Sequence, residues 1–304
     1  MTGTAAGSSP LDATESRLLT DTVRGVMTGA AGGCADPALA GLGWAELLAE
    51  RPRVAIPLVF RSLGETGAHA SVLLDVLRAA DPTLPAEVAL PFAGGRWVVW
   101  ECATGAPPSE AAARSGAARA ETVGQAVQAP PAFPLDAGLP LRPLALGSVE
   151  GGRRAELSGR ATAAGRRALG WWLLGTGHAM LALARAHAVE RVQFGRPLAS
   201  FQAVRHRLAE TLVALDAAEA ALAHADGDFG ALLAKAAAGR SALTAARHCQ
   251  QVLGGIGFTA EHALHRHVRR ALVLDGLLGS TRELVRQAGR EVRERGRAPR
   301  IAEL

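Results

Sequence analysis

The stretch that most limits what this chain can fold into is "SGRATAAGRRALGWWLLGTGHAMLALARAHAVERV", residues 158–192. It reads as one long helix, yet small and apolar residues come round on almost every side instead of forming one stripe. Such a helix cannot lie on a surface. It needs other helices around it, which places it in the middle of a bundle. The flanking sequence supplies them: apolar residues three and four apart recur near 198–226, 229–253, 260–276 and 280–295, with no repeat of fixed period.

Upstream, residues 11–80 read as helices broken by Gly and Pro, in "LDATESRLLTDTVRGVM", "PALAGLGWAELLAE", "RVAIPLVFRSLGE" and "AHASVLLDVLRAA". From 81 to 157 the character changes. Pro clusters ("APP", "APPAFP") and short apolar runs ("RWVVWECA", "LRPLALGSVE") predict short strands and turns. The expected fold is mainly α, in three parts: an N-terminal helical domain over 1–80, a reduced β-rich middle segment over 81–157, and a C-terminal up-and-down helix bundle over 158–304.

Composition narrows the function classes. A hydrophobic content of 49% in 304 residues allows a real core. No apolar run is long enough for a membrane span, and "MTGTAAGSSPLDATE" has neither a basic start nor an apolar centre, so a cytoplasmic protein is expected. Cys34, Cys102 and Cys249 lie far apart without paired spacing. That argues against a metal site or a disulfide framework and suggests small buried hydrophobes. The net charge of +5 is carried almost wholly by arginine, Lys235 being the only lysine. Arginine is the better fork for phosphates. The arginines are scattered, without a basic run or an aromatic-studded strand, which argues against nucleic acid, while a phosphate-bearing small molecule fits the same composition.

Two stretches interrupt the helical pattern. In "VERVQFGRPLASFQAVRHRLAE", residues 189–210, Gly195 and Pro197 predict a turn, with Ser200 as a cap for the next helix. The plain reading is a helix corner with Phe194 and Phe201 as core. In "QQVLGGIGFTAEHALHRHVRRA", residues 250–271, paired glycines let the backbone approach another group, and a helix follows whose free N–H groups suit an anion. The plain reading there is a C-cap and a packing corner.

Taken together and in this order, the two stretches resemble the C-terminal helical domain of the flavin-dependent acyl-CoA dehydrogenases. The family's R-x-x-F-G-(six residues)-Q is matched by Arg191, Phe194, Gly195 and Gln202, and its Q-x-x-G-G-x-G-F by Gln251, Gly254, Gly255, Gly257 and Phe258, with Glu261 after them. The resemblance implies that Arg191, Phe194 and Gln202 of one subunit, with Gln251, Gly254 and Gly255 of a neighbour, embrace the adenosine diphosphate half of FAD. It therefore implies an oligomer. Arg166 matches an arginine that helps hold coenzyme A in the family, although the usual Asp three residues earlier is Ala163; a solvated helix start is the plain alternative. "GWAELLAERPRVAIPLVFRSLGETG" is similar to the family's N-terminal helices.

The resemblance fails at the chemistry. Family members remove the α-proton of an acyl thioester with a glutamate, and both known locations of that base are empty here: one aligns with Leu278, the other with Gly165. Asp275 and Glu283 are the nearest substitutes, with a turn cap and a surface helix residue as their plain readings. The middle segment is also too short for the family's barrel-like domain. The resemblance thus implies the partner subunit of a heterotetrameric acyl-CoA dehydrogenase of the actinobacterial steroid-breakdown kind. It would help introduce an α,β double bond into an acyl-CoA, a steroid-derived ester being one candidate. The second acyl-CoA dehydrogenase subunit would supply the base, and electron-transfer flavoprotein or a similar acceptor would take the electrons. Two alternatives stay open: a homo-oligomeric dehydrogenase with an unusual base, and a non-catalytic helical scaffold of the same fold.

Overall fold

The computed structural model describes residues 12–85, 87–101, 136, 138–144 and 157–299. Five N-terminal helices come first: α1 (Ala13–Gly29), α2 (Asp36–Gly41), α3 (Trp44–Glu50), α4 (Pro52–Thr66) and α5 (Val72–Ala80). A small antiparallel sheet follows, β1 (Ala89–Phe92), β2 (Arg96–Trp100) and β3 (Leu141–Pro143), in that spatial order. The C-terminal bundle comprises α6 (Gly159–Glu190), a two-stranded hairpin of β4 (Val192–Gln193) and β5 (Arg196–Pro197), then α7 (Gln202–Ala223), α8 (Gly227–Leu253), α9 (Leu264–Gly276) and α10 (Thr281–Arg295). The fold is mainly α, as the sequence predicts, and no described helix is long and apolar enough to cross a membrane. The two Pro clusters lie outside the described residues.

Helix α6 is buried on nearly all its faces and packs against α4, α5, α7, α8 and α9. Glycines let its neighbours come close. A Cβ at Gly170 would strike Leu222, one at Gly177 would strike Leu215, and Gly64 of α4 lies against the Trp172 and Thr176 backbone while Gly175 lies against the Arg61 carbonyl. Helices α4 and α6 thus touch backbone to backbone, a contact that any side chain would prop open.

Trp172, fully buried, joins three regions. Its ring meets Phe60 of α4 edge-on at 5.8 Å, Trp100 of β2 at 6.0 Å, and the Arg270 guanidinium of α9 at 5.9 Å. Arg270 in turn donates to the Asp136 carboxylate at 2.6 Å and the Ala68 carbonyl at 2.9 Å, so a buried cation ties α9 to the loop after α4. Beside it, burial pushes His267 down to about 4, which keeps it neutral next to Arg270. Among the described residues the larger hydrophobic cluster runs from Val23 to Leu278, and a smaller one of Phe229, Leu232, Ala236, Leu284 and Ala288 lies between α8 and α10.

Three expectations need correction. Ser200 does not cap α7: it ends a 3-10 turn over Leu198–Ser200 and donates to the Pro197 carbonyl, while the cap position falls on Phe201. No helix follows the paired glycines at once. A second 3-10 turn, Gly254–Phe258, intervenes before α9. Cys249 is a buried hydrophobe, its thiol pushed up to about 12 by burial, but Cys34 is exposed, 3.3 Å from the Asp36 carboxylate, and Cys102 lies outside the described residues.

The α4–α6 contact gives a direct test. Gly175→Ala should lower unfolding stability by about 1–3 kcal/mol through overpacking, measured by urea denaturation. Gly289→Ala, where an added Cβ meets nothing within 4 Å, should not.

Candidate functional site

The chain antiparallels itself through α6, α7 and α8, which brings both motifs to one end of the bundle. Arg191 follows the last turn of α6, Gln202 opens α7, and Gln251 closes α8. Between the first two, β4 and β5 pair with Gln193 opposite Arg196. Phe194 and Gly195 form the turn, with φ of 53° and 76°. Two successive positive φ values make a tight primed hairpin turn, a geometry that glycine accepts freely and phenylalanine does not.

That strained Phe194 is 90% exposed, so the plain reading of it as core is wrong. Its ring meets Phe201 edge-on at 6.1 Å, and the Arg196 guanidinium lies 4.2 Å from the Phe201 ring. Arg191 makes no ion pair among the described residues. Gln202 is exposed, its amide nitrogen 3.4 Å from His206. In the second motif Gln251 and Gly255 are exposed, and Ile256 and Phe258 leave 42% and 69% of their surface to solvent. Gly254 needs to be glycine for its φ of 64°. Gly255 has no such internal reason, since a Cβ there would meet nothing within 4 Å. One surface end therefore presents a free guanidinium, open aromatic faces and a bare backbone. These residue types fit a nucleotide diphosphate: a charged fork for phosphate, flat rings for stacking, and close backbone approach.

The end of the bundle that carries Gly165 and Leu278 is built differently. Gly165 in the first turns of α6 and Leu278 between α9 and α10 are in contact: a Cβ on Gly165 would stand 2.6 Å from Leu278 Cδ1 and 2.8 Å from Leu77 Cδ2. Both are buried, and Leu278 carries a φ of 53°. The two positions where a base is expected thus converge on one point, and hydrocarbon fills it.

Polar groups hold that loop from all sides. Leu278 N–H donates to the Pro91 carbonyl at 2.8 Å, and Ala93 N–H to the Gly276 carbonyl at 2.9 Å. Arg166 donates from Nε to the Leu278 carbonyl at 3.1 Å and from Nη2 to Gln287 at 3.2 Å. Arg166 is half-buried and is not the solvated helix start that its plain reading supposes. Lys235 donates to the Asp275 and Gly279 carbonyls at 2.9 and 2.6 Å. Sequence reasoning gave Lys235 no role; its being the only lysine, amid an alanine-rich helix, was the available signal.

The two substitute acids are spent. The Asp275 carboxylate accepts from the Thr281 hydroxyl at 2.5 Å and N–H at 3.1 Å. Glu283 accepts from Gly94 N–H at 2.9 Å and completes the capping box of α10 with Ser280. The Gly94 and Ser280 hydrogen bonds hold the Glu283 carboxyl below its usual range, which weakens it as a base.

Residues 156–292 match the family model of the acyl-CoA dehydrogenase C-terminal domain. The acyl-CoA dehydrogenase IpdE2 of Mycobacterium tuberculosis is 41% identical over 124 residues, 40% of this chain and 39% of that protein. The acyl-CoA dehydrogenase FadE34 of the same organism is 38% identical over 155 residues, 48% of this chain and 21% of that protein. The chain thus matches well under two thirds of either relative's length. Among solved structures, the ChsE4-ChsE5 complex from Mycobacterium tuberculosis superposes with a TM-score of 0.60 at 16% identity, over 94% of this chain and 98% of the matched one. The Tcur3481-Tcur3483 steroid ACAD gives 0.64 at 19%, over 93% and 99%. At these identities they share the fold.

The role of Arg166 as a loop tether is testable in stability. Arg166→Leu should cost about 1.5–3 kcal/mol, the range for hydrogen bonds to a charged group. A solvated side chain would cost almost nothing in the same denaturation experiment.

Proposed function

We propose that this chain, with an acyl-CoA dehydrogenase C-terminal domain across residues 156–292, is the partner subunit of a heteromeric FAD-dependent acyl-CoA dehydrogenase. It lends an adenosine diphosphate clamp to shared cofactor sites, and a second chain supplies the carboxylate base. The observation that carries this reading is the contact of Leu278 with Gly165. Removing a proton α to a thioester needs a basic atom within hydrogen-bonding reach, and methyl groups stand where that atom would be.

Bound FAD would supply the hydride acceptor. The chain's own residues would do the holding: Arg191 as a fork for pyrophosphate, Phe194 as a stacking face, Gln202 and Gln251 as polar contacts, and Gly254 and Gly255 as the place of close backbone approach. The exposure of these groups favours a cofactor shared with a neighbouring subunit over one enclosed by a single chain. On this reading 1–80 is the N-terminal helical domain, 81–157 a shortened middle segment and 158–304 the cofactor-binding bundle. The similarity to chains of the ChsE4-ChsE5 complex and of a steroid ACAD favours a two-chain assembly acting on a steroid-type acyl-CoA; electron-transfer flavoprotein or a similar acceptor is what the family resemblance implies.

Purification alone and together with a second chain of the family tests this. The expected result is no acyl-CoA oxidation by the chain alone and a yellow, active complex with the partner. Arg191→Ala in that complex should weaken FAD retention by roughly ten- to a hundredfold, the equivalent of about 1.5–3 kcal/mol. A chain that binds FAD and oxidises an acyl-CoA unaided would remove the partner reading.

A further inference from the structure

Lys235 leaves the first third of α8 and reaches the loop between α9 and α10 with none of its surface exposed. It makes no ion pair among the described residues. Its two hydrogen bonds go to main-chain carbonyls, those of Asp275 and Gly279. The neighbouring Asp275 carboxylate turns instead to Thr281, and a Cβ on Gly239, one turn after Lys235, would collide with that pair. The Glu283 carboxylate is taken by Gly94 and Ser280.

The number of donors decides what fits here. An ammonium has three N–H bonds and no acceptor; a neutral amine has two. Two carbonyls take both N–H bonds of the amine, leaving only its weakly costly lone pair, whereas they leave the ammonium one buried donor short, besides the cost of burying its charge.

We infer that Lys235 is a positioning residue which, as the neutral amine on the alkaline side of neutrality, holds the 275–279 loop, and Leu278 with it, against Gly165 by spending both N–H bonds on that loop. The charged groups around it pull in opposite senses. Asp275 at the end of α9 and Glu283 in α10 favour the ammonium, Arg166 of α6 opposes it, and burial opposes it most, so the pKa is lowered from 10.5 to about 7. Between these two values the unfolded chain holds a proton that the folded chain lacks, and stability rises with pH across that interval. As pH falls across that interval, opening the loop and protonating the freed lysine becomes progressively easier, so the loop loosens down to the lower value and no further below it. This holds whether or not the function proposed above is correct, because it concerns contacts within the chain.

A single lysine makes the experiment clean. Full-length chain labelled with [15Nζ]lysine gives one side-chain signal, which is followed from about pH 5 to about pH 10. The expected midpoint is near 7, far below that of an exposed lysine; an ammonium signal persisting above about pH 9 overturns the inference. Hydrogen exchange over residues 276–281, corrected for intrinsic rate, tests the positioning role. Protection should fall severalfold between about pH 8 and about pH 6 in the wild type and stay unchanged in Lys235→Met. Equal wild-type protection at both values would contradict the role, and the wild-type measurements decide even if Lys235→Met does not fold.

Discussion

Leu278 is pressed onto Gly165 with a positive φ, a backbone state that costs a non-glycine residue of order 1–2 kcal/mol. It persists because the loop around it is over-determined. The edge of β1 takes it from one side through Pro91, Arg166 from another, Lys235 from beneath, and the capping box of α10 closes its end. Burial of the leucine side chain, worth about 1.5–3 kcal/mol, offsets the strain. The sheet, the central helix and the last helix all contribute groups that hold this one loop. On the proposed function, hydrocarbon stands here where a proton-abstracting carboxylate would act.

The two ends of the bundle are therefore built on opposite principles. At the loop end, polar groups are consumed internally and the surface is closed. At the hairpin end, an arginine, exposed aromatic rings and a glycine pair are left unconsumed, and Phe194 keeps a strained turn without any gain in burial. A folded chain does not ordinarily hold an aromatic in that state for its own stability. On the proposed function, a cofactor or partner subunit covering it would supply the reason.

Much of this was legible in the sequence, and for physical reasons. The long helix apolar on every side could only be central, and the packing of α6 among its neighbours follows from that pattern. The motif residues could be placed at helix ends because Gly and Pro mark those ends. What sequence could not give was contact across the fold. Gly165 and Leu278 are far apart in the chain, and their meeting depends on how α6 and the α9–α10 loop pack. For Arg166 the sequence leaves a coenzyme A contact and a solvated helix start open, and neither anticipates its acceptors, the Leu278 carbonyl and Gln287, which come from distant segments. Ser200 looked like a cap because its type suits one, but the 3-10 turn before α7 shifted the cap by one residue. Lys235 had no motif at all.

On the proposed function, this chain offers a cofactor clamp and no catalytic centre of its own. Hydrogen exchange of the two-chain complex measures both halves at once. Loading FAD should protect residues 194–202 and 254–258 of this chain, and adding acyl-CoA should leave 163–167 and 276–280 unchanged. Strong acyl-CoA protection at 276–280, or no FAD protection at the two motifs, would contradict the account.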